Sequence, residues 1–156
     1  EPSDWPPKMV VCAGAVVIKA ERVLLVRHAR GQSLEGQWSI PWGLVDHRET
    51  PESAALREAH EEGGVVAELE GLLGIQNLPM SGWLGVAFLC RHISGGPSPD
   101  GVETDRAAYF SLVETRTIND PLEPWSGWLV ERVLTGKPRI IAACTENPYR
   151  PRLAFL

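Results

Sequence analysis

The chain has 156 residues, 44% hydrophobic and 22% charged, ordinary proportions for a soluble globular protein with one buried core. Fifteen basic against 20 acidic residues leave a net charge of −5, which argues against a general nucleic-acid backbone binder, since such proteins carry a basic excess. The longest apolar run, Met9 to Ile18, is too short to span a membrane.

Residues 1–8, EPSDWPPK, are polar and proline-rich, expected as a flexible leader with nothing resembling a signal peptide. MVVCAGAVVIK is rich in β-branched residues and predicts a buried strand; RVLLVRH (Arg22 to His28) follows an Ala-Glu break and predicts its hairpin partner. ARGQSLEGQ is a loop, and WSIPWGLVD reads as short extended structure interrupted by Pro41 and Gly43. A helix follows. Thr50 can cap it, Pro51 suits its first position, Glu52 favours its positive end, and Gly63-Gly64 stops it after Glu62. VVAELEGLLGIQNL and GWLGVAFLCRHI predict two more strands, parted by a turn around Pro79. SGGPSPDG (Ser94 to Gly101) is a flexible loop, RAAYFSL a short strand, and WSGWLVERVLTG (Trp125 to Gly136) an amphipathic helix. Residues 137–156 are expected to be an irregular tail. No linker or internal repeat is visible, so 1–156 reads as one domain, and strands around a central helix with a second helix late predict a mixed-sheet α/β sandwich. Cys12, Cys90 and Cys144 lack C-x-x-C spacing; read as reduced thiols, with Cys12 and Cys90 buried in strands, they fit a cytoplasmic setting.

The stretch GLVDHRETPESAALREAHEEGGV, Gly43 to Val65, crowds Glu58, Glu61 and Glu62 into about one turn of helix. Like charges three or four apart on a helix destabilise it by a few tenths of a kcal/mol per pair. The three lie within an arc of about 100°, beside a face of Leu56, Ala59 and Gly63 slim enough to lie against a sheet. Oxygen ligands on one arc suit a hard divalent cation, and Mg²⁺ in particular bridges to substrate phosphates. E-x-x-E-E taken alone describes a solvated acidic face more readily than a metal site.

The wider spacing is more specific. Gly43, Glu49, Arg57-Glu58, Glu61-Glu62, Gly64 and Val65 together resemble the Nudix box, complete at its charged and glycine positions, with Ala59 in its aliphatic slot. Upstream, WSIPWG resembles the family's tryptophan-containing lead into Pro-Gly-Gly, with Trp42 in place of the first glycine. The resemblance implies a Nudix-type α/β/α sandwich around a central mixed sheet. It implies that Glu58, Glu61 and Glu62 bind Mg²⁺ or Mn²⁺, joined by the backbone carbonyl of Trp42, and that an Arg57–Glu49 ion pair orients them. The implied reaction is hydrolysis of a nucleoside diphosphate linked to another group, ADP-ribose-like compounds ahead of nucleoside triphosphates and dinucleoside polyphosphates. Pro79, fourteen residues beyond Val65, stands near a proline that recurs in ADP-ribose-hydrolysing relatives. The general base is either a box glutamate or an acid from a later loop, and Glu103 is the later candidate.

Around the box, Arg27, with His28 and Arg30, is placed to hold substrate phosphate. Six tryptophans are many for this length, and Trp38, Trp42 and Trp83 are the candidates to stack on a base. The Trp42 indole either packs inward or lines the pocket, and the pocket is favoured. His60 lies about 200° round the helix from Glu58 and reads as surface. Trp125 and Trp128 read as core or interface, which leaves a homodimer open. The expected partner is a nucleoside diphosphate-linked small molecule, not a membrane or a nucleic acid. The alternative is a non-catalytic nucleotide-binding sensor of the same family, although a pure binder has no need of all three glutamates. Isopentenyl diphosphate isomerase-like chemistry would need a reactive cysteine beside the box, where none of the three lies.

Overall fold

Along β1 (Val10–Lys19), Ala13, Ala15 and Val17 face one side, Val16 and Ile18 face the other, and both sides are covered. A strand buried on both faces has to be central. In the computed structural model, which describes residues 6–136, 138–149 and 153–156, β1 runs parallel to β6 (Trp83–Ser94), from Val10↔Trp83 to Ile18↔Arg91. Antiparallel to β6 lies β5 (Val66–Asn77). The other edge of β1 is shared by β4 (Trp42–Leu44), at Cys12 to Gly14, and β2 (Arg22–His28), at Ile18 and Lys19. Strand β2 also pairs with β3 (Trp38–Ser39) and β7 (Thr104–Phe110).

Helix α1 (Pro51–Gly63) covers the Ala13 face and α3 (Pro124–Thr135) the Val16 face, the expected α/β/α sandwich with a mixed sheet. The slim side of α1 explains its close approach: Ala54, Ala55 and Ala59 are fully buried, and a Cβ on Gly63 would stand 2.8 Å from Leu24 Cδ2. On the opposite face Trp125 lies over Gly14 and Gly85, where a Cβ would approach its ring to 3.4 and 3.1 Å. Cys12 and Cys90 are buried in strands as expected, and burial pushes both thiols up, to about 11 and about 12. Among the described residues no helix is long and apolar enough to cross a membrane.

Two regions differ from the sequence reading. A short helix, α2 (Leu112–Thr117), follows β7; Ser111 and Glu114 close a capping box around its first turn, a pattern legible as S-x-x-E. The tail is more ordered than expected where it is described. Ile141 exchanges two backbone hydrogen bonds with Leu72, of 2.9 and 3.0 Å, and so seals part of the free edge of β5. Strands β8 (Ala143–Cys144) and β9 (Ala154–Phe155) pair, and Phe155 packs on Phe88 with ring centroids 5.3 Å apart. Residues 1–5 of the expected leader, and residues 137 and 150–152 of the tail, lie outside the described residues.

The β1–β2 hairpin turns on Ala20 and Glu21, both left-handed, with φ of 49° and 62°. That pair of angles matches the twist of the strands and favours glycine or asparagine. Releasing a non-glycine residue from this region recovers about 1–2 kcal/mol, less about 0.5–1 for glycine's freedom in the unfolded chain. Glu21→Gly should therefore raise the melting temperature by roughly 1–4 °C in a calorimetric scan. An unchanged or lower value would show that the turn is unstrained.

Candidate metal centre and active site

Glu58 and Glu62 stand one turn apart on α1 and are 7% and 2% exposed. Glu103, exposed on the loop before β7, completes a trio in which each carboxylate offers an oxygen within 4.8 Å of the others. Strand β4 makes room for this. A Cβ on Gly43 would stand 2.2 Å from Glu58 Oε1, so only glycine lets that carboxylate lie against the strand. The Trp42 backbone N–H donates to Glu62 Oε1 at 3.0 Å. At the helix end, Gly64 has φ of 73°, and its N–H closes on the carbonyls of Ala59 and His60.

Arg57 ties the box together. Its Nε and Nη2 grip both oxygens of Glu49, at 3.1 and 2.6 Å, as the expected orienting pair. Nη2 also donates to the Leu44 carbonyl, and Nη1 bridges Glu58 at 2.9 Å and Glu61 at 3.1 Å. One cation thus serves three carboxylates and, among the described residues, Glu62 has no ion-pair partner. Burial pushes the Glu62 carboxyl up, to about 10, and the adjoining Glu58 pushes the same way. Burial raises Glu58 too, against the pull of Glu62's hydrogen bond and of Arg57. The pair sits in the last turns of α1, where the helix dipole disfavours negative charge.

This donor set fits a hard divalent cation: all oxygen, partly desolvated, over-supplied with negative charge, and held open by a glycine. Mg²⁺ or Mn²⁺ bound there would neutralise phosphate charge and lower the pKa of a bound water.

Several expected site residues stand elsewhere. Glu61 is exposed, outside the trio, and paired with Arg57. Arg27 is engaged by Asp105 at 2.8 and 3.0 Å and by Asp120 at 3.2 Å, so its charge is already answered rather than free for phosphate. Trp38 is 4% exposed, edge-on to Phe110, and donates to Asp120: a core residue, not a stacking platform. The Trp42 indole packs inward, edge-on to Trp125 with centroids 6.1 Å apart, and not in the pocket the sequence reading favoured. Trp83 is half-buried at the head of β6 and belongs to neither core cluster. His28 bonds Ser39 at 2.8 Å, and His60 is exposed as expected. Trp125 is core, whereas Trp128 is 53% exposed beneath the Arg132 guanidinium. Thr104 was missed. It is fully buried and donates its hydroxyl to the Glu62 carbonyl at 2.9 Å; the Asp-Gly turn before it was the available signal.

The raised pKa of Glu62 gives a sign. Its proton stabilises the metal-free fold below the ordinary glutamate value, and that contribution is lost as pH rises towards about 10. In EDTA, the melting temperature of the parent relative to Glu62→Gln should therefore fall as pH is raised from roughly 5 to 9. The variant should melt above the parent at the alkaline end, and Mg²⁺ should stabilise the parent alone. A difference that stays flat with pH would mean that Glu62 is not strained in the metal-free protein.

Comparison with known proteins agrees with this geometry. The NUDIX domain model matches residues 8–132. A MutT-like protein of Streptomyces ambofaciens is 31% identical over 111 residues, 71% of this chain and 69% of that protein. The NAD-capped RNA hydrolase NudC of Vibrio parahaemolyticus is 30% identical over 69% of this chain, which spans only 41% of that relative's length. Among solved structures, a NUDIX hydrolase from Nitrosomonas europaea superposes with a TM-score of 0.75 at 23% identity, over 85% of this chain and 76% of that one. The NUDIX domain of Shewanella oneidensis NrtR, complexed with ADP ribose, gives 0.66 at 20% identity over 84% and 89%. A glycine-gated carboxylate centre on the box helix, set in this sandwich, accompanies those matches, and the chain belongs to the Nudix hydrolase family.

Proposed function

We propose that this chain is a Mg²⁺- or Mn²⁺-dependent pyrophosphohydrolase that cleaves the diphosphate linkage of a nucleoside diphosphate derivative, with ADP-ribose-like compounds as the leading substrate class. The observation that carries it is the convergence of Glu58, Glu62 and Glu103 to within 4.8 Å of one another, with the Arg57 guanidinium already divided among three carboxylates. Phosphoryl substitution asks for such charge neutralisation and for an in-line water. In this reading Glu58, Glu62 and Glu103 hold the cation, with the Trp42 carbonyl beside them, while Arg57 and Glu49 orient the helix side. With Glu103 on the cation, Glu61, exposed at the rim, is the carboxylate left to take a proton from the water. Of the three tryptophans read as base-stacking candidates, Trp83 is the one that remains, since Trp38 and Trp42 are committed to the core.

The substrate class draws support from two relatives. One is named for NAD-capped RNA and the other was solved with ADP ribose; both ligands carry adenosine on a diphosphate. The reduced thiols fit a cytoplasmic enzyme.

The test is incubation of ADP-ribose, NAD, nucleoside triphosphates and dinucleoside polyphosphates with protein and Mg²⁺ or Mn²⁺, products being identified by mass. ADP-ribose should yield AMP and ribose 5-phosphate, and Glu62→Gln should lose most of that activity while remaining folded. Glu61→Gln and Glu103→Gln then separate the remaining roles: Glu103→Gln should lose metal affinity, whereas Glu61→Gln should lose turnover with affinity intact. Tight nucleotide binding without turnover in either metal would overturn the hydrolase reading in favour of the sensor.

A further inference from the structure

Glu103 is exposed, and an exposed acid in a loop rich in glycine and proline has no reason of its own to stay within 4.8 Å of two buried carboxylates. Its backbone is nevertheless pinned from both sides. Asp100 Oδ1 accepts from the N–H groups of Val102, Glu103 and Thr104, at 2.8, 2.8 and 2.9 Å. The Glu103 carbonyl accepts from the Ala29 N–H at 2.9 Å, and Gly101, with φ of 79°, donates to the Thr104 carbonyl to close the turn. Next along the chain, Thr104 bonds the carbonyl of Glu62, a member of the trio itself. Farther back in the loop, the Ser98 N–H donates to the Gly63 carbonyl at 2.9 Å. The loop is therefore fastened to the last turn of the same helix that carries the other two carboxylates.

We propose, on the reading of the centre given above, that Asp100 is a positioning residue: its carboxylate gathers three successive N–H groups and so holds Glu103 against Glu58 and Glu62. Asp100 is not itself part of the trio. Its Oδ1 is occupied by three backbone N–H groups, and charge-assisted bonds of this kind are stronger than those of a neutral acceptor. Groups that orient a metal ligand from behind typically carry 10- to 100-fold in metal affinity.

The experiment is Mn²⁺ binding by the intact chain, read from the electron paramagnetic resonance signal of free Mn²⁺, with metal-free melting curves alongside. Asp100→Ala should weaken Mn²⁺ binding about tenfold, and Glu103→Gln should do the same. The double variant should bind no more weakly than Glu103→Gln alone, because Asp100 acts only through Glu103. Asp100→Asn keeps the oxygen acceptor and should recover most of the affinity. Parental affinity in Asp100→Ala, additive losses in the double variant, or an Asn variant as weak as the Ala variant would each overturn the proposal. Parental affinity in Glu103→Gln would instead overturn the reading of the centre, and this proposal with it. Should Asp100→Ala not fold, amide hydrogen exchange in the parent decides. Val102, Glu103 and Thr104 should be protected well beyond an open loop, and exchange at the unprotected rate would refute the clamp.

Discussion

Glu58 and Glu62 occupy the C-terminal turns of α1, nearly out of reach of water, where the helix already presents negative potential. An isolated buried carboxylate is strongly disfavoured, and two in contact are worse. Most of the surrounding structure can be understood as the means of keeping them there. Gly43 gives up its side chain so that Glu58 has a place to lie. The Trp42 N–H bonds Glu62, Arg57 spans Glu49, Glu58 and Glu61, and Thr104 fastens the neighbouring loop to the Glu62 carbonyl. None of these removes the excess charge. They hold the oxygens apart from water and ready for a cation, a strained arrangement of the kind functional sites carry.

The sandwich supplies rigidity from both sides. Alanines on α1, and Gly63 against Leu24, allow the helix to approach the sheet closely, so its carboxylates are set by packing rather than by flexible stems. On the other face Trp125 fills the space left by Gly14 and Gly85. Small residues on β1 and β6 thus serve opposite partners, a helix backbone on one face and a large aromatic on the other. The tail adds to this by pairing Ile141 with Leu72 and laying Phe155 on Phe88.

What could be read from the sequence follows from how local each signal is. The box helix, its Thr50 cap, its Gly64 stop and the Glu49–Arg57 pair rest on spacings within one element and its immediate lead, and all appear where expected. The long strands of the main sheet were legible because β-branched runs between turn residues constrain them locally, whereas β8 and β9 in the tail were not. The membership of the carboxylate trio was not. Helical spacing places Glu58, Glu61 and Glu62 on one arc, but only the fold shows that Glu61 is exposed and drawn to Arg57 while Glu103 arrives from another element. The surroundings of Arg27 were hidden for a related reason. Its partners, Asp105 and Asp120, are 78 and 93 residues away in sequence, so no local pattern shows that its charge is already engaged. The α2 helix is different. Its capping box stands in the sequence, at the end of the RAAYFSL strand reading and in a stretch otherwise given no element.

Trp42 shows how one constraint settles another. Successive side chains of a strand point to opposite faces, and Gly43 has to face Glu58 because a Cβ there would collide with the carboxylate. Trp42 must therefore face the α3 side, away from the centre, whatever its affinity for a nucleobase. Gly14, its partner on β1, leaves this face open to Ile40 and Trp125, which a Cβ there would approach to 2.8 and 3.4 Å, and Trp125 meets the Trp42 indole edge-on. Only Ala20 and Glu21 among the described non-glycine residues have positive φ, so the backbone at Trp42 asks for nothing that tryptophan cannot adopt. Its N–H still reaches Glu62. The departure from the Pro-Gly-Gly lead is thus absorbed on the far face of the sheet, where bulk is tolerated, while the glycine whose absence of a side chain the centre requires is Gly43.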